Sequence, residues 1–153
     1  MKVVIGSDHA GYEMKENIKK YLTEKDIQVT DVGTNSNESV DYPEFGKKVG
    51  LEVTTKPYDF GIVICGTGIG ISIAANKVKG VRAALVHDKE TARLSKEHNN
   101  ANVLAFGGRN NTLENAKEIV DGFLEAHFEE RHQKRIDLIS KIENANNLEN
   151  GNE

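Results

Sequence analysis

Short, nearly continuous apolar runs alternate along the chain with longer stretches in which apolar residues recur every three or four positions. Residues 2–6, 28–32, 60–65, 81–86 and 102–106 form the first class, the pattern expected of strands buried on both faces. The second class predicts helices. Residues 12–25 set Met14, Ile18, Tyr21 and Leu22 on one stripe, and residues 42–54 do the same with Phe45, Val49 and Val53, each a single apolar face for a core. Residues 112–126 repeat the arrangement with Leu113, Ala116, Ile119, Val120 and Phe123, behind an Asn111-x-x-Glu114 pair that resembles a capping box. Helices also fit residues 69–77 and 88–98. This alternation calls for right-handed crossovers and a covered parallel sheet. The predicted fold is therefore α/β, a single doubly wound, Rossmann-like, five-stranded parallel sheet with helices on both faces and a C-terminal helix. Ligands then belong at the carboxyl ends of the strands, which selects four loops: 7–11, 33–41, 66–70 and 107–111.

The C-terminal helix, read over residues 129–144, carries Ile136, Ile139 and Ile142 on one stripe after the sheet is complete. Either a partner subunit or the domain's own flank must cover it. From Glu143 to Glu153 the chain holds five Asn and three Glu with one Leu, a composition that favours a frayed or disordered tail. The expected division is thus a domain over residues 1–143 and a polar tail over 144–153. A chain of 153 residues suits one hydrophobic core, and leaves little room to enclose a ligand unaided. A deep site is expected in a surface cleft or between subunits.

Charge removes one functional class. Twenty basic residues against 24 acidic ones give a formal charge of -4, and only five of the twenty are arginine, which argues against a nucleic-acid partner. After Met1 and Lys2, the apolar run Val3, Val4, Ile5 is far short of a signal-peptide core, and no run approaches the ~20 residues of a membrane span. A lone cysteine, Cys65, excludes an intrachain disulfide and a Cys-based zinc site and fits a reducing compartment. The expectation is a cytoplasmic protein with no membrane partner.

The most informative stretch runs from Ile62 to Ser72, a buried strand that empties into Gly66, Gly68 and Gly70 and then a helix. Glycines let such a turn reach φ > 0 and bring backbone N–H groups close to an anion at the helix N-terminus. The spacing is neither a P-loop nor a dinucleotide fingerprint, and a tight structural turn explains it equally well. Cys65 at the strand end reads either as a small core residue or as a thiol made more readily ionised by the helix N-terminus, a usable base. Asp8 and His9 follow the first strand and should share its rim, with Asp8 as a helix N-cap the plain alternative. Asp31 superficially resembles the ribose-binding acid of dehydrogenases, but the first strand lacks the glycine fingerprint that should accompany it. His98 and Asn99 fall between the fourth helix and the fifth strand, where a histidine can serve as acid or base or simply satisfy a helix C-terminus. Residues 129–132 include metal-ligand types but read as a solvated helical face, and no histidine spacing is typical of a metal site. Arg131 and Arg135, four apart, project from one helical face and suit a phosphate, unless Glu129 and Glu130 neutralise them.

Together these residues resemble the ribose-5-phosphate isomerase type B family, within the group that includes the galactose-6-phosphate isomerase subunits. The resemblance rests on Gly6-Ser7-Asp8-His9-Ala10-Gly11, Asp41-Tyr42-Pro43, the stretch from Ile64 to Lys77, Ser95 to Val103, Ala105 to Arg109, and Arg131-His132-Gln133-Lys134-Arg135. It implies interconversion of ribose 5-phosphate and ribulose 5-phosphate in the pentose phosphate pathway, with no metal and no cofactor. It also implies roles. Cys65 would move the proton between C2 and C1, Thr67 would help position it, and His98 would assist ring opening. The amides of Gly66, Gly68, Ile69 and Gly70 would stabilise the enediolate. Asp8, Asn99 and Tyr42 would contact the sugar, His9, Arg131 and Arg135 would hold the phosphate, and Arg109 would be a further anion or sugar contact. Relatives that lack the cysteine use a glutamate just after the last loop glycine; here that position is Ile71, which leaves Cys65 as the candidate base. The family implies a homodimer or dimer of dimers with sites shared between subunits. Isomerisation of another aldose phosphate, of the allose 6-phosphate or galactose 6-phosphate type, and a non-catalytic phosphosugar-binding module are the competing readings.

Overall fold

The computed structural model describes residues 1–151. Five strands, β1 Lys2–Ser7, β2 Gln28–Asp31, β3 Phe60–Cys65, β4 Ala83–Leu85 and β5 Val103–Gly107, form one sheet in the order β2-β1-β3-β5-β4. All four pairings are parallel. The intervening helices are α1 Tyr12–Glu24, α2 Tyr42–Thr55, α3 Ile69–Asn76, α4 Lys89–Asn99 and α5 Leu113–Glu125, followed by a 3-10 turn Glu130–His132 and α6 Gln133–Gly151. The doubly wound reading of the sequence holds.

Strand parity splits the core into two layers. Val3, Ile5, Ile62, Ile64, Leu104 and Phe106 face α1, α4 and α5, where they meet Ile18, Leu22, Ala92, Ile119 and Phe123. Val4, Val63, Cys65, Val103 and Ala105 face α2 and α3, against Phe45, Val49, Ile71 and Ala75. The three central strands are buried almost throughout. The edge strands β2 and β4, four and three residues long, are only partly buried, and short edges limit unwanted pairing.

Three local expectations are corrected. The cap of α5 is Thr112, whose side chain accepts from the Asn115 N–H, not Asn111. The amide of Asn111 instead donates to the Gly107 carbonyl at 2.8 Å and its Oδ1 accepts from Asn115 at 2.7 Å, fastening the β5 loop to α5. The last helix, read over residues 129–144, begins at Gln133 after the 3-10 turn and continues to Gly151. Of the expected tail, residues 152–153 lie outside the described residues. Finally, Arg131 lies in the 3-10 turn and Arg135 in the first turn of α6, so they do not share one α-helical face. The apolar stripe is itself divided. Ile136 is buried against the domain, whereas Leu138, Ile139 and Ile142 are exposed.

Candidate active site

The chain steps from β1 leftward to β2 and rightward to β3, so the strand order reverses between β1 and β3. In open α/β sheets ligand sites form at such a switch point, beyond the carboxyl ends of the strands. The loops after β1 and β3 flank it. Asp8 is buried, its N–H reaches the Ile64 carbonyl at 3.3 Å, and its Oδ1 accepts from the Gly11 N–H at 3.0 Å. The carboxylate therefore closes the loop entering α1. His9 Nδ1 lies 3.2 Å from both the N–H and the carbonyl of Val40, which ties it to the loop between β2 and α2.

Cys65 ends β3 on the α2/α3 side, buried, with the Gly68 N–H donating to Sγ at 3.2 Å. Thr67 Oγ1, on the exposed crest of the same loop, accepts from the Ile69 N–H at 3.2 Å. Two side chains thus bond to amides that begin α3, the positive end of its dipole. Two loop glycines admit close neighbours, and at Gly68 the backbone itself requires glycine. Gly68 has φ +81° with the Phe106 backbone 2.6 Å from where a Cβ would stand, and at Gly70 a Cβ would fall 2.5 Å from the Tyr42 ring. Tyr42 therefore packs directly on the loop. On the other side β5 extends its pairing past the strand, with Gly108 N–H to the Cys65 carbonyl at 2.8 Å and Arg109 N–H to the Gly66 carbonyl at 3.0 Å. The Arg109 side chain then lies over Gly66. Asp8, His9, Tyr42, Cys65, Thr67, Arg109 and the loop of Gly66, Gly68, Ile69 and Gly70 thus share one rim.

Four predicted site residues lie elsewhere. His98 and Asn99 end α4, just ahead of Asn102, which bonds to Arg82 and Gly61 at the amino ends of β4 and β5's neighbour β3. At about 3.3 Å per residue, strands of this length separate the two rims by roughly 17–20 Å. Arg131 and Arg135 gather around His98 instead. The Glu129 N–H donates to the Glu97 carbonyl at 2.9 Å, bringing the 3-10 turn against the end of α4. The His98 and His132 rings then stack, with centroids 4.5 Å apart. Arg131 Nε and Nη2 reach Glu129 Oε2 at 2.9 and 2.7 Å, and Arg135 Nη1 lies 3.2 Å from His132 Nδ1. Burial, followed by the Arg131 charge, holds the His132 imidazole below its ordinary value.

His98, Glu129 and His132 could present three ligand atoms within 4.8 Å of one another. The two guanidinium groups that already engage Glu129 and His132 oppose a cation there. Glu129 and His132 read from the sequence as part of a solvated helical face, with Glu129 a candidate to neutralise the arginines. Glu129 does pair with Arg131, whereas His132 is buried against His98, about thirty positions away in the chain. Their spacing as i and i+3 was visible, but what they pack against was not. Asp31 takes no ligand role: Lys15 and Lys19 bond to its Oδ2 at 2.5 and 2.7 Å.

A thiol, an arginine and a glycine-lined helix N-terminus at the switch point of a doubly wound sheet define an α/β enzyme site for a small anionic substrate. Residues 3–139 match the family model described as ribose/galactose isomerase, and the chain belongs to that family. It is an isomerase. Ribose-5-phosphate isomerase B of Escherichia coli K12 is 48% identical over 95% of this chain and 99% of its own length. The solved ribose-5-phosphate isomerase B of Clostridium thermocellum is similar with a TM-score of 0.93 and 52% identity, covering 95% of this chain and 99% of that one. The Mycoplasma genitalium ribose-5-phosphate isomerase B, solved with bound ribulose 5-phosphate, gives 0.88 and 44%, covering 94% and 96%. No helix among the described residues is long and apolar enough to cross a membrane.

Proposed function

We propose that this protein interconverts D-ribose 5-phosphate and D-ribulose 5-phosphate through a cis-enediolate, with Cys65 as the base. The observation that carries the reading is Cys65 Sγ at the end of β3, held against the Gly68 N–H at the start of α3. A thiolate there takes the C2 proton of the open-chain aldose, and the electron pair moves to the carbonyl oxygen. The loop amides and the α3 N-terminus face the resulting oxyanion, a charge that develops only along the reaction and so rewards fixed donors. Transfer of the O2 hydroxyl proton to O1 moves the charge to O2, and return of the abstracted proton to C1 then gives the ketose. Asp8, Tyr42 and Asn99 contact sugar hydroxyls, Thr67 positions the thiol, and Arg109 is a further anion contact. His98 carries a proton to the ring oxygen as the C1–O bond opens, and His9, Arg131 and Arg135 hold the phosphate.

Cys65 and His98 stand on opposite rims of one chain, so acting on one sugar requires two copies. We therefore read the protein as a homodimer or dimer of dimers in which the amino-edge cluster of one subunit completes the carboxyl rim of the other. Ile69 and Ile73 of α3 and Leu138, Ile139 and Ile142 of α6 are exposed and offer apolar surface for that contact. A cytoplasmic setting fits a reduced thiol at this position. The test is ketose formation from ribose 5-phosphate in the presence of EDTA. Cys65→Ala is expected to abolish exchange of the C2 proton with solvent while phosphosugar binding survives, and normal turnover by that variant would remove Cys65 from the chemistry.

A further inference from the structure

Glu129 is poised between two partners. Its Oε2 accepts from Arg131 at 2.7 and 2.9 Å, while His132 Nε2 lies 3.7 Å from the same oxygen. An arginine only donates, so the contact of Arg135 Nη1 with His132 Nδ1 at 3.2 Å makes Nδ1 the acceptor and leaves the ring proton on Nε2. That N–H is buried and has no hydrogen-bond partner among the described residues, a costly state for a polar group. Its nearest carboxylate is already taken by Arg131.

We propose that Glu129 is an exchange carboxylate, releasing Arg131 to the substrate phosphate and turning to accept the His132 Nε2–H in its place. The proposal rests on the reading of Arg131 and Arg135 as phosphate ligands and of His98 as the ring-opening group. When Arg135 also turns to the phosphate, His132 loses the contact that fixes its Nδ1. The Glu129 bond replaces it, so the ring on which His98 stacks stays anchored as the two arginines move. Glu129 would thus act as a positioning residue with two opposed effects, competing with phosphate for Arg131 and supporting His98 once phosphate is bound. No covalent step is involved.

The experiment uses the full chain with inorganic phosphate as the binding probe and ribose 5-phosphate as the substrate. Glu129→Gln should bind phosphate about two- to fivefold more tightly, the worth of a solvent-accessible ion pair that no longer has to be broken. Its kcat should fall about tenfold, the worth of a charge-assisted hydrogen bond. Glu129→Asp, which keeps the charge, should recover part of the lost kcat. In the unmodified protein, adding phosphate should move the His132 ring N–H proton resonance downfield, and Glu129→Gln should blunt that shift. Unchanged phosphate affinity in Glu129→Gln, or a His132 resonance indifferent to phosphate, would overturn the exchange. Arg131→Ala separates the two readings. If it loses phosphate binding while Glu129→Gln behaves as unmodified protein, the exchange alone is wrong; if it binds phosphate normally, the phosphate assignment fails and the exchange with it.

Discussion

At the scale of single residues, the most exacting demand is made by Lys15, whose side chain is wholly buried. A buried ammonium group survives only when paired and hydrogen-bonded, and here Asp31 and Glu16 supply oxygens at 2.5 and 2.8 Å. Asp31→Asn removes the shared counter-charge of Lys15 and Lys19 and is expected to destabilise the fold by about 3 kcal/mol, measured by urea unfolding. Burial raises the Asp31 carboxyl, but hydrogen bonds from Lys15 and Lys19 and from the Gly33 N–H outweigh it and hold the group below its usual 3.8. With the folded value lower than the unfolded one, this stabilisation is complete above about pH 3.8 and is lost as the pH falls through the folded value. The variant should therefore flatten the acid limb of the stability profile, and an unchanged limb would show that other carboxylates govern it. The acid that superficially resembled a cofactor ligand is thus a structural counter-ion, a distinction made by the lysines one helix away.

At the scale of elements, helix and strand cores were legible because periodicity is a property of the segment itself. The bounds of β3 agree residue for residue, and β1, α1, α2 and α5 differ from expectation by a residue or so at an end. Caps were less legible, since a cap is chosen among adjacent candidates by backbone geometry. Asp88 and Thr91 form a reciprocal capping box at the start of α4, with the Thr91 N–H on Asp88 Oδ1 at 2.7 Å. The charge near this N-terminus is held by hydrogen bonds from the Thr91 backbone and hydroxyl, which lower the Asp88 carboxyl from its ordinary value. Asp88→Ala removes the acceptor for the Thr91 N–H and should modestly lower the thermal midpoint, with turnover preserved in the folded protein. A much larger loss would mean that the loop before α4 depends on Asp88 for more than the cap. The 3-10 turn before α6 was not legible either. Its residues continue a helical pattern, and the bond from the Glu129 N–H to Glu97 that fixes the turn comes from a distant helix.

At the scale of the whole molecule, the two groups of candidate residues lie at opposite ends of the sheet, and this makes the shared site directly testable. Cys65→Ala and His98→Asn should each be inactive alone. If each site takes its thiol from one chain and its histidine from another, random reassociation makes half of the dimers mixed. Each mixed dimer then carries one intact site, so about a quarter of the unmodified activity should return. Absence of recovery after proven subunit exchange would place both groups in a site built by one chain or exclude one of them from it.

The sequence by itself determined the five strands and their helices, the place of Cys65 at the end of β3, and the glycine loop that follows it. These are local: a short continuous apolar run makes a strand buried on both faces, and a period of 3.6 records which face a helix buries. Only the tertiary structure decided that β5, not β4, lies beside β3, and so that Arg109 reaches Gly66. It alone decided that Glu129 and His132 meet His98, and that His98 stands a full strand length from Cys65. Strand order and helix docking are settled by contacts between segments far apart in the chain, whose loop-closure cost and packing leave little trace in the pattern of any one of them.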